Sequence, residues 1–361
     1  MKAARYYGPG DIRVEVIEEP RPKEGQVKIK IAWNGICGSD LHAYLTTVVK
    51  FPTKTEANEL TGETLPITLG HEFSGTIVDL GSGVDGKKWQ IGQNVIVEPV
   101  ISCLKTGSCG PCTAGSRNIC PLANFIGIGG WGGGLAEFIA TDVRYVHHLP
   151  DSVPLEVGAC IEPLAVAYHA MKRSGFEKGK TALIVGGGPI GLFLLRILRS
   201  IDLESTIIVS EPATIRRSLA LKHGASHVLD PVKTDRNVSE VVMGLTNGIG
   251  VDVAFDAAGV QASLDVALAS IRPRGIFMNV AIWEDNPRIN MNLILSREIV
   301  VTGVMGYDRV HEEVLGAVAS GKISGLGELI TSKISLEDVV EKGFLALLNE
   351  KDTQVKILVH P

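Results

Sequence analysis

The chain has 361 residues, a net charge of −5 at pH 7, 45% hydrophobic content and 41 glycines. At about 100–200 residues per domain this length predicts two domains, and the acidic balance with scattered lysines and arginines leaves no electrostatic footprint for nucleic acid. No stretch reaches the roughly eighteen consecutive apolar residues of a membrane span and Met1 to Tyr7 lacks a signal-peptide core, so a cytoplasmic protein with a small-molecule substrate, no nucleic-acid partner and no membrane partner is expected.

From Ala3 to Ile31 short extended segments are broken by Gly8-Pro9-Gly10 and Pro20-Arg21-Pro22, and the pattern continues through Phe73 to Leu80 and Asn94 to Val97. This half reads as β-rich. It carries Cys37 in Gly35-Ile-Cys-Gly-Ser-Asp-Leu-His42 and His71-Glu72 after Gly70, and Glu162 follows in Cys160-Ile-Glu-Pro-Leu164. One thiolate, one imidazole and one carboxylate leave zinc a fourth position for water or substrate. Each is unremarkable alone: a single cysteine is usually a small core residue, a His-Glu pair usually a satisfied polar pair, and ligands so far apart need the fold to gather them. The polar segment Lys50 to Pro66 is expected as a surface loop bordering the active site.

Cys103, Cys109, Cys112 and Cys120 fall among the turn-forming residues Gly107, Gly110, Pro111 and Gly115. Free buried cysteines are the bland reading. In a reducing compartment, however, four clustered thiolates with C-x2-C spacing and no nearby histidine or carboxylate predict a closed, structural zinc. Gly127 to Gly134, around Trp131, reads as a glycine-rich turn between strands rather than a mobile lid.

Beyond about Leu155 strands such as Ala182 to Val185, Ile207 to Ser210, Val251 to Asp256 and Gly275 to Ala281 alternate with helical stretches, and Ile299 to Val304 completes six. That alternation predicts a doubly wound parallel sheet. Gly186, Gly188, Pro189, Ile190 and Gly191 form the strand-to-helix turn of a dinucleotide site, and Glu211 closes the next strand. The glycines let a pyrophosphate approach the helix N-terminus, while the carboxylate accepts the ribose hydroxyls and repels a 2′-phosphate, which favours NAD over NADP. Arg216 and Arg217 soften that preference. The tail from about Arg309, helical through Lys322 and strand-like from Val355 to Val359, is expected to return to the first domain.

At these residues the chain resembles the zinc-containing medium-chain dehydrogenase/reductase family, end to end. Gly70-His-Glu-Phe-Ser-Gly75, Ile161-Glu-Pro163, Ala281-Ile-Trp283, Gly303-Val-Met-Gly-Tyr307 and Gln354 to Val359 look like its 2,3-butanediol dehydrogenase branch, with sorbitol dehydrogenases as neighbours. The resemblance implies an α/β protein with a GroES-like, β-rich catalytic domain (1–158 and 309–361, lobe 103–120) and a Rossmann coenzyme domain (159–308). It implies hydride exchange between NAD and a secondary alcohol, a vicinal diol such as 2,3-butanediol, or its ketone acetoin. Cys37, His71 and Glu162 match the catalytic-zinc positions, and Glu72 matches a carboxylate able to replace Glu162. Ser39 and His42 match the proton relay and Arg216 a contact to the adenosine ribose. The family lobe reads C-x2-C-x2-C-x7-C, whose first position falls here on Thr106, with Cys103 three residues early. Either the loop bulges to bring Cys103 in or the site is incomplete. A homodimer or homotetramer is expected.

The rival class, a zinc finger or an inactive NAD-binding protein, fares worse. The lobe carries only Lys105 and Arg117 as cations, and every ligand position is filled. Among enzymes a sorbitol or xylitol type of polyol dehydrogenase is the runner-up and a threonine dehydrogenase a distant third. His169 and His223 read as ordinary helical residues; Trp33 and Trp283 read equally as packing or as pocket lining.

Overall fold

Val27, Ile29 and Ile31 are buried on alternate positions of the strand Gln26–Gly35, the period-two pattern that makes it the centre of a sheet. It pairs antiparallel with Glu72–Leu80, with Phe138–Asp142 and with the late strand Lys356–His360, which runs parallel to Ile330–Ser335. Asn94–Val97 and Val146–His148 complete seven strands, and a three-stranded sheet forms from Lys2–Gly8, Asp11–Val16 and Ile67–Thr68. The structure is a computed structural model and describes residues 1–46, 51–233 and 237–361. Of the expected loop Lys50 to Pro66, Lys50 lies outside these residues; the rest carries no helix or strand.

Two units divide the chain: Met1–Glu162 with His311–Ala319 and Ile330–Pro361, and Pro163–Val310 with Ser320–Leu329. The tail therefore does not return whole to the first unit. Ser320–Leu329 belongs to the second because Arg196 Nε donates to the Ser324 carbonyl at 2.7 Å and Lys222 pairs with Glu328 at 2.8 Å.

The second unit holds six parallel strands in the order His227–Leu229, Ile207–Ser210, Ala182–Val185, Val251–Asp256, Ile271–Asn279, Val300–Gly303. Numbered along the chain this is 3-2-1-4-5-6, the doubly wound order that opens a crevice beyond the carboxyl ends of the central strands. Its buried strands are continuous apolar runs such as Ala182-Leu-Ile-Val185, as a sheet covered on both faces requires. The fifth strand starts at Ile271, ahead of Gly275. Ile271 still pairs with Val251, and the register irregularity that follows is taken up at Arg274, whose φ is 59°. At the edge, Val300 and Val301 are exposed.

Candidate functional site

Cys37 ends the run that follows strand Gln26–Gly35 and stands at the N-cap of helix Gly38–Leu45, its N–H donating to Asp40 Oδ2 at 2.9 Å. The antiparallel register sets Gly35 opposite Glu72, so that the helix N-terminus meets His71 and Glu72. Cys37 Sγ, a His71 ring nitrogen and a Glu72 carboxylate oxygen lie within 4.8 Å of one another. Asp40 is fully buried and its Oδ1 lies 3.5 Å from His71 Nδ1, while Ser39 Oγ lies 3.1 Å from Nε2. The Asp40–His71 approach is an ion-pair distance rather than a hydrogen bond, with the carboxylate facing Nδ1 and the Ser39 hydroxyl at Nε2. Burial opposes the imidazolium, yet the charges of Asp40 and Cys37 outweigh it and hold His71 well above the usual range. Burial first, and Glu72 second, push the Cys37 thiol up. A half-buried thiol gathered with a buried imidazole and buried carboxylates is a donor set that zinc satisfies.

Glu72 has a second partner that motif reading missed. Lys356 Nζ sits on Glu72 Oε2 and also donates to the Ile36 carbonyl at 3.1 Å, with both side chains 1% exposed. Burial opposes the ammonium, but Glu72 and then Cys37 raise its pKa. Residue 35 is glycine because a Cβ there would collide with Glu72 Oε2 and the Lys356 chain. Glu162 is buried in the first turn of helix Ile161–Ser174, outside the 4.8 Å cluster. Neighbouring Cys160 is an inert thiol pushed up to about 12 by burial. His42 is half-buried one turn after Ser39 on the same helix.

In the lobe, Cys103 Sγ lies 3.6 Å from Cys112 Sγ and 3.5 Å from Cys120 Sγ, and Cys109 Sγ lies 3.9 Å from Cys120 Sγ. Zinc–sulfur bonds of about 2.3 Å at tetrahedral angles place sulfurs roughly 3.8 Å apart, so the four thiols fit the ion. Leu104, at φ 52°, supplies the left-handed residue that turns Cys103 inward, and Thr106 takes no part in the cluster. The Gly127 to Gly134 segment is tied down rather than lid-like. Gly134 N–H donates to Gly70 at 2.8 Å, and Trp131 N–H donates to Glu63 Oε1 at 2.9 Å.

In the second unit Gly186 turns at φ 100° and Gly188 caps helix Pro189–Ile201 with proline at its first position. A Cβ on Gly191 would overlap the Gly186 carbonyl oxygen, so the close helix–strand approach depends on that glycine. Glu211 lies at the end of Ile207–Ser210, accepting from Gly187 N–H at 2.6 Å and Ala213 N–H at 2.8 Å. Arg216 reaches the same turn, its guanidinium 3.9 Å from where a Gly188 Cβ would stand. A backbone cradle at a helix N-terminus beside a carboxylate fits a dinucleotide without a 2′-phosphate.

Residues 23–151 match the alcohol dehydrogenase GroES-like domain and residues 189–320 the zinc-binding dehydrogenase domain. An (R,R)-butanediol dehydrogenase of Neisseria gonorrhoeae is 40% identical, covering 100% of this chain and 99% of its own. The chain belongs to the zinc-containing medium-chain dehydrogenase/reductase family. The crystal structure of 2R,3R-butanediol dehydrogenase from Bacillus subtilis superposes with a TM-score of 0.91 at 40% identity, over 100% of this chain and 99% of that one. Sorbitol dehydrogenase of Bacillus subtilis is 33% identical over 100% of this chain and 97% of its length. As a member of this zinc-dependent family the chain is an NAD-using oxidoreductase of small alcohols and ketones. Among the described residues no helix is long and apolar enough to cross a membrane. Motif reading passed over Asp40, although it lies inside the Cys37 motif. Nothing local marks Lys356.

Proposed function

We propose that the chain interconverts 2,3-butanediol, or a closely related vicinal diol, and the corresponding hydroxyketone. The observation that carries the reading is the gathering of Cys37, His71 and Ser39, supported by 40% identity to (R,R)-butanediol dehydrogenases along the full chain. In this reading Cys37 and His71 hold the catalytic zinc with Glu162 as the carboxylate, because the charge of Glu72 is already balanced by Lys356. Cys103, Cys109, Cys112 and Cys120 hold the structural zinc. Gly186, Gly188, Pro189, Ile190, Gly191, Glu211 and Arg216 bind NAD.

When bound, zinc supplies Lewis-acid polarisation of the substrate oxygen and the nicotinamide takes or returns the hydride. The chain's residues handle the proton. Ser39, buried at 9% exposure, takes the hydroxyl proton as the carbinol hydrogen departs with its electron pair, and His42 on the same helix face passes it toward solvent. In the reductive direction the same two groups return it. Asp40 holds the His71 ring in place, and Lys356 keeps Glu72 paired throughout.

A second copy of the chain is the partner we infer for the edge strand Val300–Gly303. Val300, Val301, Leu295 and Met291 are 52%, 42%, 78% and 64% exposed there, and an unpaired apolar edge is a template for another strand. Val301→Lys is expected to shift the sedimentation coefficient toward the single chain.

Initial rates with each 2,3-butanediol stereoisomer, acetoin, sorbitol and xylitol, before and after chelation, test the function. The expected order places a butanediol isomer and acetoin first, with loss on chelation. Faster turnover of sorbitol transfers the assignment to the polyol type, and unchanged rates in metal-free protein overturn it.

A further inference from the structure

A third group of donors lies in the first unit, outside the machinery described above. Glu98 follows strand Asn94–Val97, His147 lies in Val146–His148, and His311 opens helix His311–Ala319. Their ligand atoms all lie within 4.8 Å of one another. Glu98 Oε2 is 3.3 Å from His147 Nε2 and 3.7 Å from His311 Nδ1. Zinc bonds of about 2.0–2.2 Å to nitrogen and oxygen at tetrahedral angles set neighbouring ligands roughly 3.3–3.5 Å apart; the Glu98–His147 distance falls in that range and the Glu98–His311 distance exceeds it by about 0.2 Å.

The surroundings orient the three groups. Arg117 Nη2 binds Glu98 Oε1 at 3.0 Å, which leaves Oε2 directed at the histidines. Glu312 Oε1 lies 2.8 Å from His147 Nδ1, the carboxylate–histidine arrangement that aims the opposite nitrogen at a metal. His147 thus has a carboxylate at each ring nitrogen, whereas a neutral imidazole carries a single ring proton. Burial opposes the His147 imidazolium, yet the two carboxylates outweigh it and raise its pKa, so a proton and a divalent ion compete for Nε2, and only the divalent ion also uses His311. Burial pushes His311 down to about 3, so the ring stays neutral. Glu98 and Glu312 face one guanidinium, Arg117, and the charge that a proton on His147 supplies is one that a bound cation replaces. Glu98 and His311 are 4% and 1% exposed, whereas the His147 side chain, 15% exposed, gives an ion a route in.

We propose that Glu98, His147 and His311 form a third metal site, taking a zinc-class divalent transition ion on two imidazoles and one carboxylate with one position left open. The imidazoles now stack at 5.0 Å with 15° between their planes. Ring lone pairs lie in the ring plane, so binding turns the more accessible His147 ring toward the ion.

The test uses the full-length zinc-loaded protein, equilibrated with zinc chloride, desalted and analysed by mass spectrometry for metal per chain. Three equivalents are expected for the unmodified chain and two for His147→Gln with His311→Gln, with alcohol oxidation retained. Cobalt(II) titration is expected to add weak nitrogen–oxygen bands without thiolate charge-transfer absorption, and those bands should vanish in the double variant. Glu312→Gln, which leaves all three donors, is expected to weaken uptake about 10–100-fold. A stoichiometry that stays at two in excess zinc, or a third equivalent that survives the double substitution, overturns the site. Neither result touches the butanediol assignment, which rests on Cys37 and His71.

Discussion

Lys356 and Glu72, 284 positions apart in the chain, form an ion pair from which water is almost wholly excluded. Removing one member of a buried pair strands the other, at about 3–5 kcal/mol, whereas replacing both with apolar groups is often neutral. Lys356→Met is therefore expected to lower the denaturation midpoint strongly, and Lys356→Met with Glu72→Leu to recover most of the loss. Urea unfolding of the single and double variants measures the coupling. Equal destabilisation by both removes Lys356 from its charge-balancing role.

The lobe prediction concerns metal count. Cys103→Ser is expected to release one zinc equivalent per chain and to lower thermal stability, whereas Thr106→Ala leaves both unchanged. Metal analysis beside calorimetry distinguishes them. A full complement of zinc in Cys103→Ser places the fourth ligand elsewhere.

How far each part of the site could be read follows from how local its cause is. The turn from Gly186 to Gly191 and the carboxylate of Glu211 are legible because turn, helix start and strand end are short-range chemistry. The lobe was legible as four thiols, but the entry of Cys103 depends on Leu104 adopting a left-handed conformation, which no leucine advertises. Lys356 is one of 35 lysines and arginines and meets Glu72 only through the register of strands distant in sequence. The placement of Ser320–Leu329 escaped for the same reason: Arg196 captures Ser324 across 128 positions.

Glu211 is the residue proposed to set the choice of coenzyme. Losing a charged hydrogen bond worth about 1.5–3 kcal/mol weakens binding roughly 10–150-fold. Glu211→Ser is expected to raise the NAD dissociation constant within that range and to improve use of NADP. Coenzyme titration by fluorescence decides it, and an unaltered NAD to NADP ratio removes Glu211 from the ribose site.

His42→Ala is expected to slow alcohol oxidation roughly a hundred-fold at pH 6 and less at pH 9, where hydroxide takes the proton directly. Added imidazole should restore part of the rate. A reduction that is the same at every pH argues against the relay.

Asp256, at the end of the fourth parallel strand, is fully buried and accepts N–H donors from Ala258 at 3.0 Å and Gly259 at 3.1 Å. Burial raises its pKa despite those bonds. A folded-state value above the unfolded one contributes stability below the unfolded pKa and loses it as pH rises through the folded value. The charge is therefore a burden at neutral pH. Asp256→Asn keeps an acceptor for both donors and does not ionise, so its stability relative to the parent chain is expected to be better at pH 7.5 than at pH 4.5. A difference independent of pH, read from paired urea curves, rejects the burial cost.

The strand Lys356–His360 lies between Gln26–Gly35 and Ile330–Ser335, so the sheet that positions Cys37 and His71 closes last. On the ribosome, at about 5–20 residues per second, the stretch between Glu72 and Lys356 takes roughly 15 to 60 seconds to emerge. Throughout that interval a thiol, an imidazole and an unneutralised carboxylate wait on a nascent chain that has no finished pocket for them. In the proposed assignment the four thiols of the lobe are all made once Cys120 is, whereas the partner that balances the charge of Glu72 is made only with Lys356.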